Sequence, residues 1–160
     1  MTTDNVTLHC LGQVNGPREL DGRTRDGTVG LAPRLGQPFT GTKWRRRTST
    51  SGDIWTLECL GEAPGNRFLD GRTTDGSVGL APSTKPPFSG TRWRAAPVQG
   101  GFTLECLGEA PGNRFLDGRT MDGSVGLAPS TKLPFTGTAW AVKPAAQTID
   151  EGTNLIPADG

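Results

Sequence analysis

A chain of 160 residues is long enough to bury one substantial core. Its low hydrophobic share of 32%, with 24 glycines and 13 prolines, points to short strands and tight turns. Charge is nearly balanced, 17 Lys and Arg against 16 Asp and Glu, so no net basic field exists for nucleic acid. No apolar run approaches the roughly 18 residues of a membrane span, so membrane insertion is not expected either.

The opening segment MTTDNVTLHC lacks the basic start and apolar stretch of a secretory signal. Cytoplasmic localisation is therefore the expectation, with release by a route that needs no signal left open. Asn5-Val6-Thr7 is a glycosylation sequon that matters only in a secretory setting.

From Val6 one pattern is written three times. Val6, Trp55 and Phe102 open VTLHCLGQVNGPRELDGRTRDGTVGLAP, WTLECLGEAPGNRFLDGRTTDGSVGLAP and FTLECLGEAPGNRFLDGRTMDGSVGLAP, and each copy closes on a Trp, at Trp44, Trp93 and Trp140. Asp21, Asp70 and Asp117 recur at intervals of 49 and 47 residues. The copies occupy 6–47, 55–96 and 102–142 of one domain, 1–142, followed by a tail, 143–160. Periods of this size mark a repeat architecture whose units bury their apolar faces together.

Copy two shows the elements of each unit in chain order. Leu57 and Cys59 alternate with Thr56, Glu58 and Leu60, which predicts a half-buried strand. After a turn at Gly61 to Gly65, Arg67 to Asp70 predicts a second strand. Asp75-Gly76 is a strong turn dipeptide, and Ser77 to Leu80 follows as a third strand. Pro82 to Pro87 reads as a loop, and Phe88 to Arg94, centred on Trp93, as a fourth strand. No segment carries helical apolar spacing over three turns. Three such units predict an all-β protein of twelve strands, either a β-trefoil or three propeller blades. Propellers typically need four to eight blades, which favours the trefoil.

The run F-L-D, then D-G-S-V-G-L-A-P, then T-x-W resembles the repeat of the ricin-B-like β-trefoil lectins over residues 6 to about 142. The resemblance implies a trefoil with pseudo-threefold symmetry and carbohydrate binding. Two departures stand out. The family's Gln-x-Trp ending is here Thr42-Lys43-Trp44, Thr91-Arg92-Trp93 and Thr138-Ala139-Trp140, and the position of its sugar-stacking aromatic holds Ala32, Ala81 and Ala128. Of the family's sugar-contacting set, Asp21, Asp70 and Asp117 carry over.

A carboxylate accepts two hydrogen bonds from neighbouring sugar hydroxyls, and its charge strengthens them. Arg23, Arg72 and Arg119, with Thr24, Thr73 and Thr120, are candidate donors beside it. Asp26, Asp75 and Asp122 supply a second acid, and Phe39, Phe88 and Phe135 a candidate aromatic wall. Sugar pockets combine one flat apolar face with a few convergent polar groups. The same residues also admit a structural reading, since Asp before Gly caps turns, exposed Asp–Arg pairs contribute little and Phe fills cores. Copy one is the most divergent, with Glu19 for Phe68 and Phe115, and Arg34 to Gln37 for Ser83 to Pro86.

Cys10, Cys59 and Cys106 fall at the same place in each copy. An odd count without a local partner suits a reducing setting and three free thiols. In a trefoil these positions line the central axis, so a shared three-thiol centre is weighed against ordinary core filling, which free cysteines commonly serve. Core filling is the expectation; no metal or cofactor is expected.

The basic run Lys43, Arg45, Arg46 and Arg47 leads into a polar linker, Thr48 to Asp53, and is read as a solvated loop rather than a phosphate site. His9 stands where the other copies have Glu58 and Glu105 and carries no sign of a catalytic base. No catalytic residues are expected, because the polar groups recur with each unit instead of taking different roles around one reacting atom. The expected function is a multivalent lectin with up to three equivalent shallow glycan sites, and glycans or glycoconjugates as partners. The alternative is a protein-binding trefoil of inhibitor or scaffold type, acting through Arg45 to Asp53, Arg94 to Gly101 and the tail.

Overall fold

The computed structural model describes residues 2–145. They form an all-β structure whose twelve strands belong to one hydrogen-bonded sheet. In chain order these are β1 (Thr2–Cys10), β2 (Glu19–Arg23), β3 (Thr28–Ala32), β4 (Trp44–Thr48), β5 (Ile54–Cys59), β6 (Phe68–Arg72), β7 (Ser77–Ala81), β8 (Trp93–Val98), β9 (Gly101–Cys106), β10 (Phe115–Arg119), β11 (Ser124–Ala128) and β12 (Trp140–Pro144). Among the described residues, helical structure is confined to three 3-10 turns of three residues each.

Six strands close a ring through the antiparallel pairs β1–β4, β4–β5, β5–β8, β8–β9, β9–β12 and β12–β1. Closure leaves these strands without free edges. The other six form three hairpins, β2–β3, β6–β7 and β10–β11, each in the same five-residue register, such as Asp21 opposite Gly30 and Asp70 opposite Gly79. Single bridges between β3, β7 and β11 join the hairpins in a triangle.

The period-2 pattern decides which side chains enter the core. In β5 Trp55, Leu57 and Cys59 are buried while Ile54, Thr56 and Glu58 are half-buried. Leu8, Leu57 and Leu104 from the ring meet Leu20, Leu69 and Leu116 from the hairpins, and all six are fully buried. Trp44, Trp93 and Trp140 are also fully buried, and each indole N–H donates to a hairpin carbonyl, on Leu20, Leu69 and Leu116, at 3.0–3.1 Å. That bond satisfies the ring's one polar atom while its carbon surface fills the core.

Two sequence expectations change. The fourth strand does not begin at Phe88: Ser89–Thr91 is a 3-10 turn, and β8 starts at Trp93. The turn is held because Gly90 lies on the backbone of Gly71, where a Cβ would overlap the Gly71 carbonyl, and because Thr91 Oγ1 donates to Phe88 O at 3.0 Å. The stretch Arg45 to Asp53 is irregular only after Thr48, where Ser49 to Asp53 turn the chain into β5. Arg45 to Thr48 belong to β4, and Asp4–Arg46 and Arg45–Glu58 are cross-strand ion pairs at directly opposed positions. Arg46 also lies over the Trp55 ring, 4.6 Å from its centroid. The basic run is thereby partly consumed inside the sheet. The thiols fill the core, as expected of them, and share no centre. Cys10 contacts Gly118 O and Gly137 O, Cys59 contacts Gly22 O and Gly41 O, and Cys106 contacts Gly71 O and Gly90 O, each at 3.5 Å. Each buried cysteine sits under a different hairpin, that of the preceding copy, and no group of three potential metal ligands exists among the described residues.

β12 carries its ladder with β1 to Pro144, opposite Val6. The rest of the tail, from 146 onward, lies outside the described residues. No helix of the described residues is long and apolar enough to cross a membrane.

Candidate functional site

Each hairpin holds its aspartate the same way. Asp21, Asp70 and Asp117 are buried in the middle of β2, β6 and β10, opposite Gly30, Gly79 and Gly126. Those glycines are needed for close approach: a Cβ there would come within 2.5–2.8 Å of the guanidinium of Arg23, Arg72 or Arg119. The arginine therefore lies across its hairpin partner strand, half-exposed, with Nε 3.5 Å from the Oδ2 of its aspartate.

This contact is long. A charge-assisted N–H to carboxylate bond closes to about 2.7–2.9 Å. The other oxygen, Oδ1, lies against the following 3-10 turn, 2.7–2.8 Å from where a Cβ on Gly41, Gly90 or Gly137 would stand. Among the described residues no hydrogen bond to Oδ1 is formed. Burial raises the pKa of all three aspartates, and the neighbouring arginine only partly opposes it. A buried acceptor short of donors is costly to keep.

Beside Asp117 the surface opens into a recess of about 130 Å³ whose lining includes Arg119, Thr120, Met121, Phe135 and Val14. Three of the expected binding residues of copy three, Asp117, Arg119 and Phe135, thus meet at one recess. Phe135, like Phe39 and Phe88, immediately precedes its 3-10 turn. In copy one the ring face is already occupied, because Arg34 stands 5.6 Å over the centroid of Phe39. In copy two, Phe88 lines a recess of about 210 Å³ with Thr84, Pro86, Arg92, Leu107 and Glu109, whose lining does not include Asp70 or Arg72.

The second acids lie elsewhere. Asp26, Asp75 and Asp122 are at the exposed hairpin tips, each accepting from the backbone N–H and hydroxyl of the residue two further on, Thr28, Ser77 or Ser124. These side-chain bonds lower their pKa values. The following Gly27, Gly76 and Gly123 adopt φ of 77–79°, the left-handed conformation such a turn demands. The threonines proposed as donors are buried. Thr24, Thr73 and Thr120 donate to Ala63 O, Ala110 O and Val14 O, tying each copy to the next around the ring.

Two features went unread in the sequence. Arg18, Arg67 and Arg114 reach backbone carbonyls; Arg67, for instance, bonds Cys59 O, Gly61 O and Ala63 O at 2.8–3.0 Å and so braces the loop between β5 and β6. His9 is paired with Glu19, Nδ1 to Oε2 at 2.6 Å, at the opposed position that holds Glu58 and Phe68 in copy two. The coincidence of both changes in copy one was the available signal.

No protein-family model and no curated protein matches this sequence. Solved structures do match in fold. They include a GlcNAcα1-4Gal-releasing endo-β-galactosidase from Clostridium perfringens, with a TM-score of 0.68 at 12% identity over 89% of this chain. Cry35Ab1 aligns with a TM-score of 0.64 at 13% identity over 92% of the chain. A salivary protein from Culex quiquefasciatus, of the cysteine and tryptophan-rich family, aligns at 0.59 and 14% identity over 90% of this chain and 95% of its own. The chain spans only 33% of the endo-β-galactosidase and 37% of Cry35Ab1. At these identities the likeness is one of fold. Its neighbours are β-rich proteins that include a carbohydrate-active enzyme.

Proposed function

We infer that this chain is a glycan-binding protein of β-trefoil fold, similar to the ricin-B-like lectins, which binds through up to three sites, at most one on each hairpin unit. The fold reading is supported by the six-stranded ring, the three interlinked hairpins and the threefold recurrence of Trp44, Trp93 and Trp140. The activity of the endo-β-galactosidase that shares this fold makes carbohydrate the natural ligand class to test.

One observation carries the functional reading. Asp117 is buried with an oxygen that no donor among the described residues satisfies, and it lines a recess shared with the exposed Arg119 head and the Phe135 ring. A sugar supplies what this recess lacks: hydroxyl donors for the carboxylate, acceptors for the guanidinium and a C–H face for the ring. The reading is binding without catalysis. Glycoside hydrolysis needs two carboxyls flanking one bond, and the second acid of copy three, Asp122, is engaged with Ser124. Several weak sites on one molecule gain avidity on a clustered target, by roughly 100 to 10,000-fold where the spacing matches.

A glycan array probed with the whole chain tests this reading, followed by Asp21→Ala, Asp70→Ala and Asp117→Ala one at a time. Binding should fall at each step, least for Asp21→Ala because Arg34 covers the copy-one ring. Absence of glycan binding, or indifference to all three substitutions, would overturn it.

A further inference from the structure

Among the described residues five large hydrophobic side chains are exposed; two of them line one recess and a third is next in sequence to its wall. Val14 (43% exposed) and Met121 (77%) line the recess beside Asp117, and Leu133 (79%) directly precedes Pro134 in its wall. The other copies lack this rim. The corresponding residues are Ala110, Thr74 and Pro86 around the copy-two hairpin, and Ala63, Arg25 and Gln37 around that of copy one. Scattered apolar side chains on a surface need no explanation, but a cluster at the mouth of a recess does. None of the three is buried in the core. Their common feature is the polar floor they surround, so an occupant that suits both has a polar end and an apolar flank.

We propose that the copy-three site takes a sugar bearing an apolar substituent, an alkyl or acyl group. The sugar hydroxyls meet Asp117 and Arg119, and the substituent lies over Met121, Val14 and Leu133. This rests on the glycan-binding reading and adds that the three sites differ in specificity.

The chain has two methionines, Met1 and Met121, so a ¹³C-methyl-methionine label places a reporter on the rim. The full chain is titrated with methyl and octyl β-glycosides of galactose, glucose and N-acetylglucosamine, the octyl compounds below their micelle concentrations. For the sugar that binds, the Met121 methyl signal should shift saturably, and the octyl glycoside should bind about tenfold more tightly than its methyl partner. A variant carrying Val14→Ala, Met121→Thr and Leu133→Pro reproduces copy two at these positions, within a hairpin unit that already accepts them. Calorimetry on it should find the octyl-to-methyl affinity ratio close to one. Equal affinities for the two glycosides, with binding still dependent on Asp117, would overturn this proposal and leave the glycan reading standing. Failure of every glycoside to bind would overturn both. Octyl binding unchanged in Asp117→Ala would also overturn it, by identifying the rim as a general apolar contact for a protein or lipid.

Discussion

Cys59 Sγ lies 3.5 Å from the carbonyl oxygen of Gly22, so β5 of the second copy is fastened beneath the β2–β3 hairpin of the first. The same contact recurs at Cys106 with Gly71 and at Cys10 with Gly118, which closes the cycle of copies. Glycine is required at the receiving end. A Cβ on Gly22 would stand 2.7 Å from Cys59 Sγ and 2.9 Å from Trp44 Cη2. Overpacking of this kind costs about 1–3 kcal/mol.

Gly22→Ala should therefore lower the urea midpoint by an amount in that range. Cys59→Ala should destabilise on its own by opening a small cavity. Combined, the two should cost less than their sum, because removing the sulfur makes room for the new methyl, with a coupling of about 0.5–3 kcal/mol. Strict additivity in the double-mutant cycle would show that the thiol and the glycine do not limit each other.

Burial pushes all three thiols up from their ordinary pKa, Cys59 to about 11. The thiolate is the reactive form, and each sulfur is enclosed in the core. Iodoacetamide at about pH 8 should leave the folded chain unmodified and add three groups after denaturation, read by intact mass. Rapid labelling of one cysteine in the folded chain would mean that its hairpin opens locally.

How much of this was legible beforehand differs between strands and contacts. The alternation of Trp55, Leu57 and Cys59 is a local pattern, and so is the Asp75-Gly76 turn; both appear in the structure where the residues predict them. Gly22 was not legible. In L-D-G-R it reads as a turn residue, yet it lies inside β2, and the groups that demand glycine there, Trp44 and Cys59, come from 22 and 37 positions away. Thr24 failed for the same reason, its partner being Ala63 of the next copy. Phe88 was misplaced because an aromatic beside prolines reads equally as strand or turn, and the backbone contact between Gly90 and Gly71 decides it. For the site, repetition singled out Asp70, Arg72 and Phe88 together, but no local pattern told the buried Asp70 from the exposed, turn-capping Asp75.

The buried aspartates also predict a pH dependence. Their folded-state pKa values are raised above the ordinary 3.8. The folded chain then holds protons that the unfolded chain has released, so unfolding free energy falls as pH rises from that value through the raised ones. Replacing Asp21, Asp70 and Asp117 by Asn removes this decline. The triple variant should gain stability relative to the parent between about pH 3 and pH 7, compared by thermal melts at each pH. Asp26, Asp75 and Asp122, whose values are lowered, titrate in the opposite sense but are present in both proteins and cancel from the difference. A difference that is flat with pH would mean the carboxylates are as well solvated as in the unfolded chain.

Position 79 allows the site to be disturbed without touching the core. Gly79 faces Asp70 across the hairpin, and the Arg72 guanidinium lies where its Cβ would be, 2.5 Å from Nη1. Gly79→Ala must push that head aside. Because Arg72 is half-exposed and flexible, the shift should cost little stability, within roughly 1 kcal/mol. The same displacement separates Arg72 from Asp70 and so removes the donor half of the site proposed for copy two. Glycan avidity of the whole chain should drop to the level of Asp70→Ala, with the denaturation midpoint nearly unchanged. Arg72→Ala serves as the control: it should match Gly79→Ala in binding, and adding it to Gly79→Ala should lower avidity no further. Full avidity in Gly79→Ala would show that the guanidinium's resting place over the strand has no part in recognition.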